Sequence, residues 1–248
     1  MQKNRLIIAL AITLGITAAS FTQINHSKTL IQSSTVVESA KADSTTNASA
    51  IDASAALYNN LNLEKAGLSQ QAFNYALKGY QKLLNEGKVT NDQYLTIVDF
   101  TQSSRSRRFY LIDMKNAELV MNTYVAHGKG SGVDMAERFS NSANSNESSL
   151  GFYITKSTYN GKHGMSLRIS GQDSGFNDNA EARGVVVHGA PYVNSSRVST
   201  AYMGRSQGCP ALPVDEYAKA IDYIKDGSVM FLYSSNGDYL QHSTVLNG

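Results

Sequence analysis

The single cysteine of this 248-residue chain, Cys209, stands in Arg205-Ser206-Gln207-Gly208-Cys209-Pro210-Ala211-Leu212-Pro213, 21 residues after His188 of Val185-Val186-Val187-His188-Gly189-Ala190. All three prolines, Pro191, Pro210 and Pro213, fall in the same stretch. A thiol beside an imidazole can give up its proton to the ring and become a thiolate, the nucleophilic form. The competing reading is a small buried hydrophobe with no chemistry, and three local features argue against it. Gly208 permits a sharp turn or a close substrate approach next to the sulfur. Pro210 fixes the backbone and lacks an N–H, which takes Cys209 out of a regular helix or central strand. The residues before it, Arg205, Ser206 and Gln207, are polar, and a nearby positive charge favours thiolate.

The elements around this pair must hold it. Val185–Val187 reads as an apolar strand that would place His188 at a rigid sheet end, with the Gly189 carbonyl able to approach the ring and fix its tautomer. The N–H of Cys209, with that of Gly208, could face a developing oxyanion; Pro210 has none to offer. Further strand-like runs are Tyr94–Phe100, Arg108–Met114, Ala117–Tyr124, Phe152–Thr155, Ser166–Ile169, Gly184–Val187 and Val229–Tyr233, separated by polar turns. Met114–Ala117 looks like a hairpin turn. Long polar loops are expected at Phe139–Gly151 and Ser170–Ala180.

Helical spacing is confined to two places. Over residues 51–88, Ala72, Tyr75, Ala76, Tyr80, Leu83 and Leu84 recur three and four apart, after a Ser69 cap and before a Gly87 stop. A shorter helix is expected around Ala53–Leu63. Val214–Lys225 is the second, with Asp215 and Glu216 expected in its first turn, where the helix dipole favours acids. The chain thus reads as mainly β, with an N-terminal helical segment, a β domain over 89–235 with one helix after the cysteine, and a tail over 236–248.

The first 20 residues carry Lys3 and Arg5, an apolar run of 14 residues from Leu6 to Ala19, and small residues Ala18-Ala19-Ser20, the pattern of an export signal. The run is short for a membrane span; an uncleaved anchor is the alternative. Residues 21–50 are polar and low in complexity, a tether. Removing residues 1–20 takes away two basic and no acidic residues, so the formal charge falls from +2 to about 0. No basic patch points to nucleic acid. In an oxidising compartment, a free thiol that can form no internal disulfide suggests that its reactivity is useful.

At this point the chain resembles the L,D-transpeptidases of the YkuD type, which carry a histidine, a gap, and then Ser/Thr-His-Gly-Cys. Here 17 residues lie between His188 and Ser206. It is closer still to the variant group described as murein L,D-transpeptidase catalytic domains. The matching segments are Val125–Gly130, Ser149–Tyr153, Gly161–Gly164, Val187–Ala190 and Gly204–Pro213, spread over about residues 95–233. The resemblance implies a YkuD-like catalytic β-sandwich or barrel, a cysteine acyl-enzyme, peptidoglycan stem peptides as substrate, and a place in the periplasm or cell envelope. It implies Cys209 as nucleophile, His188 as base and Gly189 as backbone orienter. Gln207 stands where the usual motif has a second histidine, leaving His163 or His127 to supply its part, and Arg205 in place of a downstream arginine to meet a substrate carboxylate. Ser206 and Gln207 join these as expected substrate contacts. The acceptor is left open between an amine and water, and a non-catalytic wall-binding module is the remaining alternative.

Read from residues alone, His127 and His163 are exposed loop histidines, and only the resemblance moves them toward substrate. His26 and His242 lie in tails. A zinc site from His127, His163 and His188 lacks any short-spaced ligand pair, and a thiol nucleophile needs no metal, so no metal or cofactor is expected. Arg105-Ser106-Arg107-Arg108 reads as a solvated loop or strand edge. A monomer is expected, without stable membrane insertion once the signal is removed.

Overall fold

The computed structural model describes residues 52–162 and 164–248. The export segment, the tether, His26 and His163 lie outside the described residues. Helix at 52–60 is followed by α1 (Leu63–Ala66) and α2 (Gln70–Asn85). Ser69 caps α2 by accepting a hydrogen bond from the Ala72 N–H at 3.1 Å, satisfying one of the amides that a helix start leaves unpaired. Gly87, with φ +68°, closes its end.

The strands are β1 (Tyr94–Asp99), β2 (Phe109–Asp113), β3 (Glu118–Thr123), β4 (His127–Gly128), β5 (Gly151–Gly161), β6 (Gly164–Gly171), β7 (Val186–Gly189), β8 (Arg205–Ser206), β9 (Ala211–Leu212) and β10 (Val229–Tyr233). Eight of them form one sheet in the order β3-β2-β1-β10-β5-β6-β7-β9, and β4 pairs with β8 in a second. The β2–β3 turn is held by the Asp113 carboxylate, whose Oδ1 accepts from the Lys115 and Asn116 N–H groups at 2.9 Å each.

β2 and β10 are buried at every residue and β1 at all but the first, because helices cover this part of the sheet. α2 packs on β1 and β10, while α3 (Tyr217–Ile224) packs on β1, β6 and β7. The approach of α2 is close. A side chain at Gly79 would put its Cβ 2.1 Å from Cζ of Phe152, and Phe152 in turn stacks on Phe231 at 4.1 Å between centroids. Glycine inside a helix costs about 1 kcal/mol relative to alanine; here it lets the helix seat on the aromatic core.

Two expectations are corrected. Asp215 and Glu216 precede α3 rather than occupying its first turn. Residues 236–248 are no tail: they form α4 (Gly237–His242) and α5 (Thr244–Asn247), burying Tyr239, Val245 and Leu246. The clamp is Asp173, fully buried, which accepts from Ser243 Oγ, the Val245 N–H, the Tyr239 hydroxyl and the Phe152 N–H. Four donors satisfy the hydrogen-bonding capacity of this buried side chain. His242 is exposed, beside Asp238 at 2.9 Å.

Candidate active site

The segment Gln207–Pro210 bridges the two sheets. Before it, β8 pairs in parallel with β4, Arg205 opposite His127 and Ser206 opposite Gly128. After it, β9 pairs in parallel with β7, Ala211 opposite His188 and Leu212 opposite Gly189. Both ends of the cysteine loop are therefore fixed, one of them to the strand that carries His188. Ser206 tightens the turn from within, its Oγ accepting from the Gly208 N–H at 3.0 Å and donating to the Cys209 carbonyl at 2.6 Å. Gly208 has φ +123°, and a Cβ there would lie 2.8 Å from the Glu147 carbonyl oxygen, so the turn requires glycine. Its N–H is committed to Ser206, which removes it from the expected oxyanion role. The Cys209 N–H donates to no group among the described residues.

His188 is buried, and its Nδ1 lies 2.9 Å from the Gly189 carbonyl oxygen. A carbonyl only accepts, so Nδ1 carries a proton, and Nε2 is the ring atom left to exchange one. Gly189 is glycine for a packing reason: a Cβ would meet Cδ1 of Tyr217 at 2.6 Å. The first residue of α3 thus seats its ring on the residue that orients the imidazole.

A cavity of about 560 Å³ gathers Cys209, His188, Arg205, Ser206 and Gln207, together with Arg183 and Tyr192. The Cys209 sulfur accepts from the Val186 N–H at 3.5 Å. Burial pushes the thiol pKa up, while the Val186 N–H and the Arg183 charge pull it down less. Burial, the largest influence, thus works against the thiolate, opposite in direction to the effect expected of a neighbouring arginine. The cation coupled to the sulfur is moreover Arg183, which sequence reasoning missed. Arg183 braces the loop before β5 by donating to the carbonyls of Ser140 and Glu147 at 2.7 and 2.8 Å. Its only signal was position, two residues before the Val185–Gly189 run. Tyr192 was missed as well; burial and the nearby Cys209 raise its hydroxyl to about 12.

His127 is neither an exposed loop residue nor part of the cavity wall. It is fully buried, with Nδ1 2.7 Å from Arg108 Nη2 and Nε2 3.4 Å from the Gly132 carbonyl. Arg108 is no solvated charge either. Its guanidinium is fully buried, donates to the carbonyls of Val125 and Gln102, and lies over the Phe100 ring at 5.0 Å. Burial lowers Arg108 to about 9. Burial first, and the Arg108 charge second, lower His127 to about 4. Both of its ring nitrogens are thus engaged away from the cavity that holds Cys209. Among the described residues, no cluster of three or more His, Cys, Asp or Glu side chains could hold a metal ion.

This constellation has a family. Residues 64–233 match the L,D-transpeptidase catalytic domain of the YkuD type, more than half of the chain, and the chain belongs to that family. No curated protein matches it. Solved structures similar to it include an L,D-transpeptidase from Mycobacterium smegmatis, at 17% identity over 57% of this chain and 59% of that one, with a TM-score of 0.37. The helical cell shape determining protein Pgp2 (K307A mutant) from Campylobacter jejuni is similar at 12% identity over 63% and 56%, TM-score 0.37. An L,D-transpeptidase from Stackebrandtia nassauensis is similar at 12% over 65% and 67%, TM-score 0.34. The chain spans less than three-fifths of the length of the first two. Among the described residues no helix is long and apolar enough to cross a membrane.

Proposed function

We propose that the protein is an exported acyltransferase of peptidoglycan stem peptides, with Cys209 as nucleophile and His188 as general base. One observation carries this: a histidine whose Nδ1–H is held 2.9 Å from the Gly189 carbonyl lines the same cavity as the only cysteine. Because burial disfavours the thiolate, a base at the moment of attack supports the reaction. Nε2 of His188 takes the thiol proton as the sulfur adds to the carbonyl between an L- and a D-centre. The Cys209 N–H, without a partner among the described residues, faces the developing oxyanion. Collapse expels the terminal D-residue as its amine, which takes the proton back from His188. The thioester then passes to an amine of a second stem peptide, regenerating the thiol.

The test uses purified disaccharide-tetrapeptide and product masses. Cross-linked dimers are the expected outcome. A tripeptide alone would make water the acceptor and the enzyme an L,D-carboxypeptidase. Unchanged substrate, together with a thiol inert to small alkylating reagents, would leave a wall-binding module.

A further inference from the structure

The walls of the Cys209 cavity are cationic without compensation. Lys129, Lys162, Arg183 and Arg205 line it, and no aspartate or glutamate does. The whole chain is nearly balanced, with 22 Lys and Arg against 20 Asp and Glu, so this is local segregation and not the reflection of a basic protein. Among the described residues, none of the four forms an ion pair. The pairs present involve Lys82, Lys88, Arg105, Lys115, Arg138, Lys225 and His242. Glu147, whose carbonyl accepts from Arg183, turns its carboxylate 3.8 Å from Arg138 instead. Arg183 and Arg205 are fixed by neutral partners, Arg205 donating to the Gly132 carbonyl at 3.1 Å and lying over the Tyr202 ring at 4.7 Å. Lys129 and Lys162 are exposed at the rim.

Several like charges around one concave site raise each other's energy, and an anionic ligand relieves all of them at once. A neutral peptide would leave them facing one another. We infer that the site selects donor peptides that carry free side-chain carboxylates, with Lys129 and Lys162 as the residues that distinguish them from the carboxamide forms. This rests on the cavity being the donor-peptide site. It adds a choice between two chemical forms of the same peptide, through two lysines outside the His188–Cys209 machinery.

The test measures binding to the full chain carrying Cys209→Ala, so that no turnover intervenes. The probes are a stem tetrapeptide with free side-chain carboxylates and the same peptide with those groups as carboxamides. The carboxylate peptide is expected to bind about tenfold tighter, as charge-assisted hydrogen bonds allow, and the margin should shrink as salt is raised. Lys129→Gln and Lys162→Gln should each reduce the margin about threefold, the scale of exposed charge pairs. Equal affinity for the two peptides, or an unchanged margin in both lysine variants, would overturn the inference. So would inorganic polyphosphate displacing the carboxylate peptide at equal charge concentration, since attraction would then lack peptide recognition. A preserved margin in a protein whose wild type turns over neither peptide would sink acyl transfer and leave the selectivity standing. Turnover without a margin would do the reverse.

Discussion

At Cys209 three influences compete, and burial wins over the Val186 N–H and the Arg183 charge, so the thiol pKa lies above its ordinary value. The sign has a kinetic consequence. Alkylation of the free protein by a small neutral reagent should climb steadily as pH rises from neutral to above 9, with no plateau near pH 6 of the kind a preformed thiolate–imidazolium pair gives. A flat profile through neutrality would mean that the ion pair already exists. The base assignment is tested separately. His188→Ala should reduce turnover by about 10²–10⁴, the usual contribution of a positioned general base, and slow alkylation near neutral pH. Gln207→His, which restores the residue usual in the motif, should be tolerated, because Gln207 is exposed on the cavity wall. Loss of thiol reactivity in His163→Ala but not in His188→Ala would reassign the base.

Among the elements, β7 and α3 meet where Gly189 presents its carbonyl to His188 and its missing side chain to Tyr217. Gly189→Ala should therefore act through packing: the new Cβ lies 2.6 Å from the Tyr217 ring, and either the ring or the carbonyl must shift. A fall in kcat of about tenfold or more is expected for so small a misplacement of a catalytic group, with the fold retained by circular dichroism. Tyr217→Ala in the same chain should restore most of it. A double variant as slow as Gly189→Ala would show that the alanine acts on the backbone alone. This contact was not legible in the sequence, since Gly189 and Tyr217 are 28 positions apart and nothing in their spacing joins them. What was legible was local. The strands of the central sheet declared themselves as short β-branched or aromatic runs, and α2 by its apolar spacing and Ser69 cap. The short pairs β4–β8 and β7–β9 that pin the cysteine loop escaped, because two-residue strands have no period to read. The C-terminal helices escaped for a different reason: they are only six and four residues long, and much of what holds them is Asp173, 70 residues from Ser243. His188, Gly189 and the Ser206–Cys209 turn stood out because a thiol, an imidazole and a tight turn each require particular residue types. Arg183 did not, because an arginine that braces carbonyls resembles any surface arginine.

For the molecule as a whole, the buried Arg108–His127 contact ties acid stability to the second sheet. His127 stays neutral in the folded chain down to about pH 4, whereas its ordinary value is 6.5. Between those values the unfolded chain binds a proton that the folded chain refuses, so stability is full above about pH 6.5 and falls as pH drops toward 4. Over the interval from pH 7 to pH 5 the loss from this one group is about 2 kcal/mol. The carboxylates held low, Asp113, Asp134 and Glu86 among them, start from ordinary values of 3.8 to 4.5. Their contribution is lost only at lower pH, so it does not mask the His127 interval. His127→Gln separates the charge from the packing, because the amide oxygen can accept from Arg108 Nη2 and the amide nitrogen can donate to the Gly132 carbonyl. Urea unfolding at pH 7 and pH 5 is the measurement. The wild type should lose about 2 kcal/mol more than His127→Gln between the two conditions. Parallel losses would mean that the Gly132 carbonyl and the Asp134 charge, which favour a proton on the ring, offset burial and the Arg108 charge, which oppose it.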